Sequence, residues 1–187
     1  MRVISGIYKG RRLKAVEGSL VRPTSDRLRE TLFNVLAASV QGARFVDICA
    51  GTGAVGIEAL SRGAGHVTFI ESNRKAAQVL AENLETCGIN ENIKVLNREA
   101  VATLKYFAQH HMQFDYFYLD PPYDSEVYSQ IMWTLAKSKL IAEEGLVIVE
   151  HRKKQELLPN YDYLRPYRQI VQGDSCLTFF SMERGIA

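Results

Sequence analysis

The spacing of apolar residues changes period repeatedly along this chain, and each change marks an element. From residue 44 onward, short apolar runs alternate with stretches at helical spacing. The runs predict strands over 44–49, 66–71, 92–96, 114–120 and 145–150. Between them, helices are predicted over 55–62, 74–87, 100–109 and 126–137, with Gly88 as a stop signal for the second. A short polar helix is expected after residue 150. Two further strands, 163–171 and 175–182, flank Gly173-Asp174, a hairpin turn signal. Strands that alternate with helices require a parallel sheet covered on both faces, so the fold class is α/β and Rossmann-like. The closing hairpin adds one antiparallel strand, expected at the sheet edge.

Upstream, residues 2–5 and 12–16 flank Gly6 and Gly10 and read as a small β-hairpin. An extended piece, Val21-Arg22-Pro23, follows. Thr24 or Ser25 can cap a helix whose apolar face is Leu28, Leu32, Val35 and Leu36, with Arg27 and Glu30 elsewhere on the wheel. Gly42 closes this part. The expected organisation is a hairpin extension over 1–22 and one α/β domain over 23–187.

A chain of 187 residues can bury one full core. It has no apolar run of membrane-spanning length and no signal-peptide pattern at its start, so a cytoplasmic protein is expected. Cys49, Cys87 and Cys176 lack metal or redox spacing and read as free thiols; no metal site is expected. Charge changes the picture more. Residues 1–30 carry eight Lys/Arg against three Asp/Glu, a balance of +5, while the rest of the chain sums to −3. Basic charge gathered at one end suits a polyanionic partner. Lys9, Arg11, Arg12, Arg22, Thr24, Arg27 and Arg29 are the candidate contacts to its backbone.

Gly51-x-Gly53-x-x-Gly56 follows a predicted strand and opens a predicted helix, the pattern of a nucleotide-binding loop. Its glycines allow a sharp turn and close approach of backbone to ligand. Glu71 ends the next strand, where a carboxylate can bind both hydroxyls of a ribose. Asp47 lies just ahead of the glycines. An anionic pyrophosphate would be repelled there, whereas a sulfonium donor with an α-ammonium group would be attracted. Asp47 can also cap the loop through backbone N–H groups. The candidate cofactor set is Asp47, Ala50, Gly51, Thr52, Gly53, Gly56, Glu71 and Ser72, with Glu99 and Ala100 at a helix start placed to meet an adenine. S-adenosylmethionine is the expected cofactor.

Asp120-Pro121-Pro122-Tyr123 ends the predicted strand 114–120. Prolines stiffen the chain and leave carbonyls free to accept hydrogen bonds. A carboxylate, a free carbonyl and a nearby aromatic ring make a receptor for a planar amine. Asp120 and the Pro121 carbonyl would grip the two N–H bonds and steer the nitrogen lone pair towards a methyl group. Tyr123 would stack on the base. A base inside a duplex cannot reach such a pocket, so the target must be unpaired or flipped out. His66, His110, His111 and His151 read as surface or hydrogen-bonded residues, the pair Glu150-His151 being the one to watch. Trp133 reads as packing.

The chain resembles the bacterial 16S rRNA guanine-N2 methyltransferase family. The residues that carry the likeness are Ile4-Ser5-Gly6, Gly10-Arg11-Arg12-Leu13, Arg22-Pro23-Thr24, Arg29-Glu30-Thr31-Leu32-Phe33-Asn34, Ala50-Gly51-Thr52-Gly53, the run 56–64 and Asp120-Pro121-Pro122-Tyr123. The resemblance implies a seven-stranded class I methyltransferase sheet and a guanine of 16S rRNA as acceptor. The acceptor is expected within a small-subunit assembly particle and the enzyme as a monomer. It also implies that Arg22-Pro23-Thr24 lies over the pocket. Cys49 and Glu99 depart mildly from the family pattern, where a bulkier apolar residue and an Asp are usual.

Two rivals are a DNA adenine-N6 or cytosine-N4 methyltransferase, which would share Asp-Pro-Pro-Tyr, and a non-catalytic RNA-binding assembly factor. The first usually carries a large target-recognition region that this chain lacks room for. The second would show damage at the loop or the amine receptor. A protein-glutamine methyltransferase would more often place Asn at position 120. A nicotinamide oxidoreductase would share the glycine loop.

Overall fold

A computed structural model describes residues 1–16, 24–121, 126–155 and 157–183. Seven strands form one sheet in the order β3-β2-β1-β4-β5-β7-β6. The strands are β1 (Arg44–Ile48), β2 (His66–Ile70), β3 (Ile93–Leu96), β4 (Phe114–Leu119), β5 (Ile141–Arg152), β6 (Leu164–Gln172) and β7 (Ser175–Met182). The helices are α1 (Asp26–Leu36), α2 (Ala54–Ser61), α3 (Arg74–Cys87), α4 (Ala100–Gln109) and α5 (Val127–Ala136). The chain falls into two compact units, Met1–Arg98 and Glu99–Ala187.

In the first unit, β1, β2 and β3 pair in parallel. The buried positions of β1 and β2 are mostly Val, Ile and Phe, as strands covered on both sides require, while β3 at the sheet edge is half-buried to exposed. Ser25 caps α1 by accepting from the Leu28 N–H, and Leu28, Leu32, Phe33 and Leu36 are its buried face. Asn73 caps α3 by accepting from Lys75 and Ala76, and Gly88 ends it at φ 70°. A left-handed residue at that position is what a glycine accommodates without strain.

The expected N-terminal hairpin is present as a short arm: the antiparallel Arg2–Arg12 bridge is joined by Val3 N–H to the Arg11 carbonyl (2.9 Å), Gly10 N–H to the Val3 carbonyl (2.9 Å) and Leu13 N–H to the Met1 carbonyl (3.0 Å), with no longer strand ladder among the described residues. The arm is also bonded to α2. The N–H groups of Ile4 and Ser5 bind the Glu58 carboxylate of α2 at 2.7 and 3.0 Å, and Tyr8 N–H binds Ser61 Oγ at 3.0 Å. Gly6 has φ 82°, and a Cβ there would stand 1.7 Å from the Ser61 carbonyl oxygen. The arm is therefore both paired with itself and fastened to α2.

In the second unit, β4 and β5 are parallel, and β7 is antiparallel to both β5 and β6. The antiparallel strand is thus β7, inside the sheet, and β6 forms the edge. Strand β5 starts at Ile141, earlier than the apolar run indicated, because a register shift between Phe114 and Tyr116 accommodates the polar Glu143-Glu144. It also runs on to Arg152, paired with Ser175 of β7. The short helix expected after residue 150 is absent among the described residues, since pairing with β7 takes up its first positions. Aromatic rings fill this core: Phe107, Phe114 and Phe117 lie 5.3 and 5.5 Å apart in sequence, and Tyr161 meets Trp133 and Phe180 edge-on. Trp133, expected to be packing, meets Tyr161 but remains 37% exposed, with Lys137 5.1 Å over its ring.

Candidate active site

The glycine loop lies between β1 and α2, as the motif requires. Cys49, Gly51 and Gly53 all have positive φ (59°, 54° and 79°). The consecutive left-handed turns are closed by Ala50 N–H to the Ile70 carbonyl (3.1 Å) and Gly53 N–H to the Ala50 carbonyl (2.8 Å). A Cβ on Gly53 would fall 2.1 Å from Leu80 Cδ1, and one on Gly56 2.2 Å from the Phe69 ring. These two glycines are needed for close packing of the loop and α2. Gly51 differs: a Cβ there meets nothing within 4 Å, so the backbone at this point borders open space.

Glu71, at the end of β2, holds the loop. One carboxylate oxygen accepts from Gly51 N–H at 2.7 Å and the other from Asn73 N–H at 2.7 Å. Each oxygen keeps a lone pair for a ribose hydroxyl. Asn97 donates to the carbonyls of Glu71 and Ser72 at 2.7 and 3.1 Å, fixing the turn on which Glu71 and the exposed Ser72 sit. Motif reading gave Asn97 no role; it directly follows β3, and the carbonyls it meets lie 26 and 25 residues earlier in the chain, too far for a local signal.

Asp47 is 2% exposed and accepts from Gly56 N–H at 2.9 Å. Burial pushes its pKa up to about 7; the Gly56 N–H opposes the rise and the nearby Glu71 charge adds to it. Of the two roles considered for Asp47, tying the loop is the one visible in the hydrogen bonds. Thr52 and Ala50 are half-buried in the loop.

Glu99 precedes α4 as its cap residue, yet its side chain makes no capping bond and is exposed, while its carbonyl accepts from Thr103 Oγ1 at 2.8 Å. Ala100 beside it is buried. On the second unit, β4 ends at Leu119; Asp120 is half-buried and Pro121 buried. Pro122, Tyr123 and Arg22 lie outside the described residues. Glu150 is buried and accepts the Tyr118 hydroxyl. His151 is held between the Arg152 carbonyl and Thr178 Oγ1, 2.9 Å from each, and burial lowers its pKa. This pair is a structural closure of β4, β5 and β7. Among the described residues no cluster suited to a metal is found.

Lys9, Arg11, Arg12 and Arg27 are exposed, Arg11 with one bond to the Thr86 carbonyl at 3.1 Å. Lys9 borders an open groove of about 190 Å³ with Arg2, Asp26 and Glu30. Two expected polyanion contacts fail. Arg29 is fully buried, and its guanidinium is committed to the carbonyls of Arg2 (2.8 Å) and Ala54 (3.2 Å) and to Asp26 (2.7 Å). Thr24 is 8% exposed. Sequence reading placed Arg29 outside because Arg is rarely buried. Its position one residue after Leu28 of the apolar face was the available signal.

Comparison with known proteins agrees with the motifs. A family model described as Conserved hypothetical protein 95 matches residues 1–181. A Bacillus subtilis protein carrying an rRNA methyltransferase name is 38% identical over 157 residues, 84% of this chain and 85% of that one. The Escherichia coli protein named ribosomal RNA small subunit methyltransferase D is 37% identical over 183 residues, covering 98% of this chain and 90% of its own. The solved structure of an Escherichia coli protein with a methyltransferase name superposes with a TM-score of 0.85 at 34% identity, covering 98% of each chain. With a family model spanning nearly its whole length and such relatives, this chain belongs to the Conserved hypothetical protein 95 family, that of the bacterial small-subunit rRNA methyltransferases.

Proposed function

We propose that this protein transfers a methyl group from S-adenosylmethionine to the exocyclic N2 amine of a guanine in 16S rRNA. The observation that carries the reading is the loop. Backbone opens onto empty space at Gly51, and the Glu71 carboxylate is fixed beside it, in a chain 37% identical to a small-subunit rRNA methyltransferase. Those residues fit an adenosyl group: Glu71 for the ribose, Glu99 and Ala100 for the adenine, Asp47 as a carboxylate near a cationic donor.

When bound, the donor supplies a methyl carbon activated by sulfonium. The chain's own residues do the rest. Asp120 and the Pro121 carbonyl accept the two N–H bonds of the amine, which turns its lone pair out of the ring plane. They also stabilise positive charge as it develops on nitrogen. Asp120 takes the proton afterwards. Tyr123 stacks on the base. Holding the reactants in line supplies roughly 7–11 kcal/mol of the barrier. The exposed cations of the arm bind the RNA backbone, and an assembling small subunit is the proposed context for that RNA.

The test is methyl transfer from labelled donor to 16S rRNA, to small-subunit particles and to DNA, with the modified nucleotide mapped by mass. Label on a guanine N2 in either RNA substrate is the expected result. Label on DNA adenine or cytosine, or none with any substrate despite donor binding, overturns it.

A further inference from the structure

Two fully buried polar side chains of the first unit each touch both the N-terminal arm and the glycine loop. Arg29 of α1 donates to the Arg2 carbonyl at 2.8 Å and to the Ala54 carbonyl at 3.2 Å. Asn83 of α3 donates to the Lys14 carbonyl at 3.2 Å and to the Thr52 carbonyl at 2.9 Å, and accepts from Lys14 N–H at 2.8 Å. Arg2 and Lys14 stand on the two limbs of the arm. Thr52 and Ala54 stand on either side of Gly53, whose left-handed backbone opens α2. One limb is therefore tied to Ala54, the first residue of α2, and the other to Thr52, one on each side of Gly53.

Stability alone does not account for this choice of residues. Both side chains have no solvent exposure, and Arg29 Nε has no hydrogen-bond partner among the described residues. Asn83 is fully bonded, but burying an arginine with one donor unpaired is costly, and apolar side chains of similar volume fill such space without that cost. What Arg29 and Asn83 supply that apolar groups cannot is direction. Each fixes the orientation of a loop carbonyl, hence of its peptide plane, and shares that constraint with an arm carbonyl. A ligand that moves or rigidifies the peptide planes at 52–54 must act on the arm through them.

We infer that Arg29 and Asn83 are positioning residues that couple the glycine loop to the arm, so that an adenosyl ligand in the loop and RNA on the arm strengthen each other's binding. The inference rests on the proposed reading of loop and arm. Linkage makes the coupling mutual, and a factor of roughly ten is expected.

The test uses S-adenosylhomocysteine and deproteinised 16S rRNA with the full chain. Hydrogen exchange is followed at the arm amides of Val3, Gly10 and Leu13, which bond within the arm, at the Gly53 amide of the loop and the Ile57 amide of α2 that bonds back to it, and along β7. In the wild type, S-adenosylhomocysteine is expected to slow exchange in loop and arm alike, and to tighten RNA binding about tenfold. In Arg29→Lys and in Asn83→Ala the loop is expected to respond while the arm does not. The tightening of RNA should then fall towards one, with β7 unchanged. An arm that responds equally in wild type and both variants overturns the coupling, as does a wild-type arm that never responds. No response in the wild-type loop defeats the donor-site reading and the coupling together. An arm that responds in a protein without RNA affinity defeats only the RNA reading. If β7 shows that Arg29→Lys is unfolded, Asn83→Ala decides.

Discussion

The two units bury polar side chains for different purposes. In the first, Glu58, Ser61, Glu71, Asp47, Arg29 and Asn83 bond to the backbone of loops and of the arm. In the second, Tyr118 bonds Glu150 and His151 bonds Thr178, side chain to side chain within the sheet. Irregular backbone cannot satisfy its own donors and acceptors, so buried side chains must do it. The first unit thus invests its polar core in holding loops still. The second invests its own within the sheet, and the proposed amine receptor follows the end of β4. The difference separates donor-side from acceptor-side effects.

The sharpest break comes from Asp120→Ala. It should lower turnover by about 10²–10³ while leaving the dissociation constant for S-adenosylhomocysteine unchanged. Near-wild-type turnover in single-turnover assays would remove Asp120 from the chemistry. Glu71→Ala should do the reverse, weakening the adenosyl ligand by about ten- to a hundredfold, because it loses the ribose contact and leaves the Gly51 and Asn73 N–H groups without their acceptor. Calorimetric titration reads it directly.

Lys9→Ala and Arg12→Ala should weaken RNA severalfold, and each should reduce the slope of log affinity against log salt by about one. A slope unmoved by both variants would place the RNA elsewhere. Asp47→Asn gives the smallest effect, and its sign depends on pH. The folded-state pKa of Asp47, about 7, is raised above its ordinary value of 3.8. The native state therefore holds a proton that the unfolded chain has lost. This contribution to stability is complete below pH 4 and disappears as pH rises through 7. Melting curves should show Asp47→Asn gaining on the wild type from pH 5 to pH 8. A gap that stays constant over that range would show that Asp47 titrates normally.

Much of the fold was legible because its signals are local. Helix α3 over 74–87 and α4 over 100–109 begin and end where period, cap and glycine place them. So do β7 and the Gly173 turn, at φ 62°. The glycine loop and Glu71 were equally plain, since close packing and positive φ leave few residue choices. The order of the last two strands was not legible, because a hairpin pattern does not say which strand pairs with β5.

What the amino-acid pattern determined alone was the α/β alternation, the loop and the placement of Asp120 at a strand end. Each depends on neighbours a few residues apart. Tertiary structure decided the rest. Glu58, 54 residues beyond Ile4, accepts the Ile4 N–H and fastens the hairpin arm to α2. Arg29, counted among surface cations, is drawn inside by carbonyls from Arg2 and Ala54. Hydrogen-bond partners far apart in sequence leave no periodic trace, so only the folded chain reveals which polar residue is surface and which is fastening.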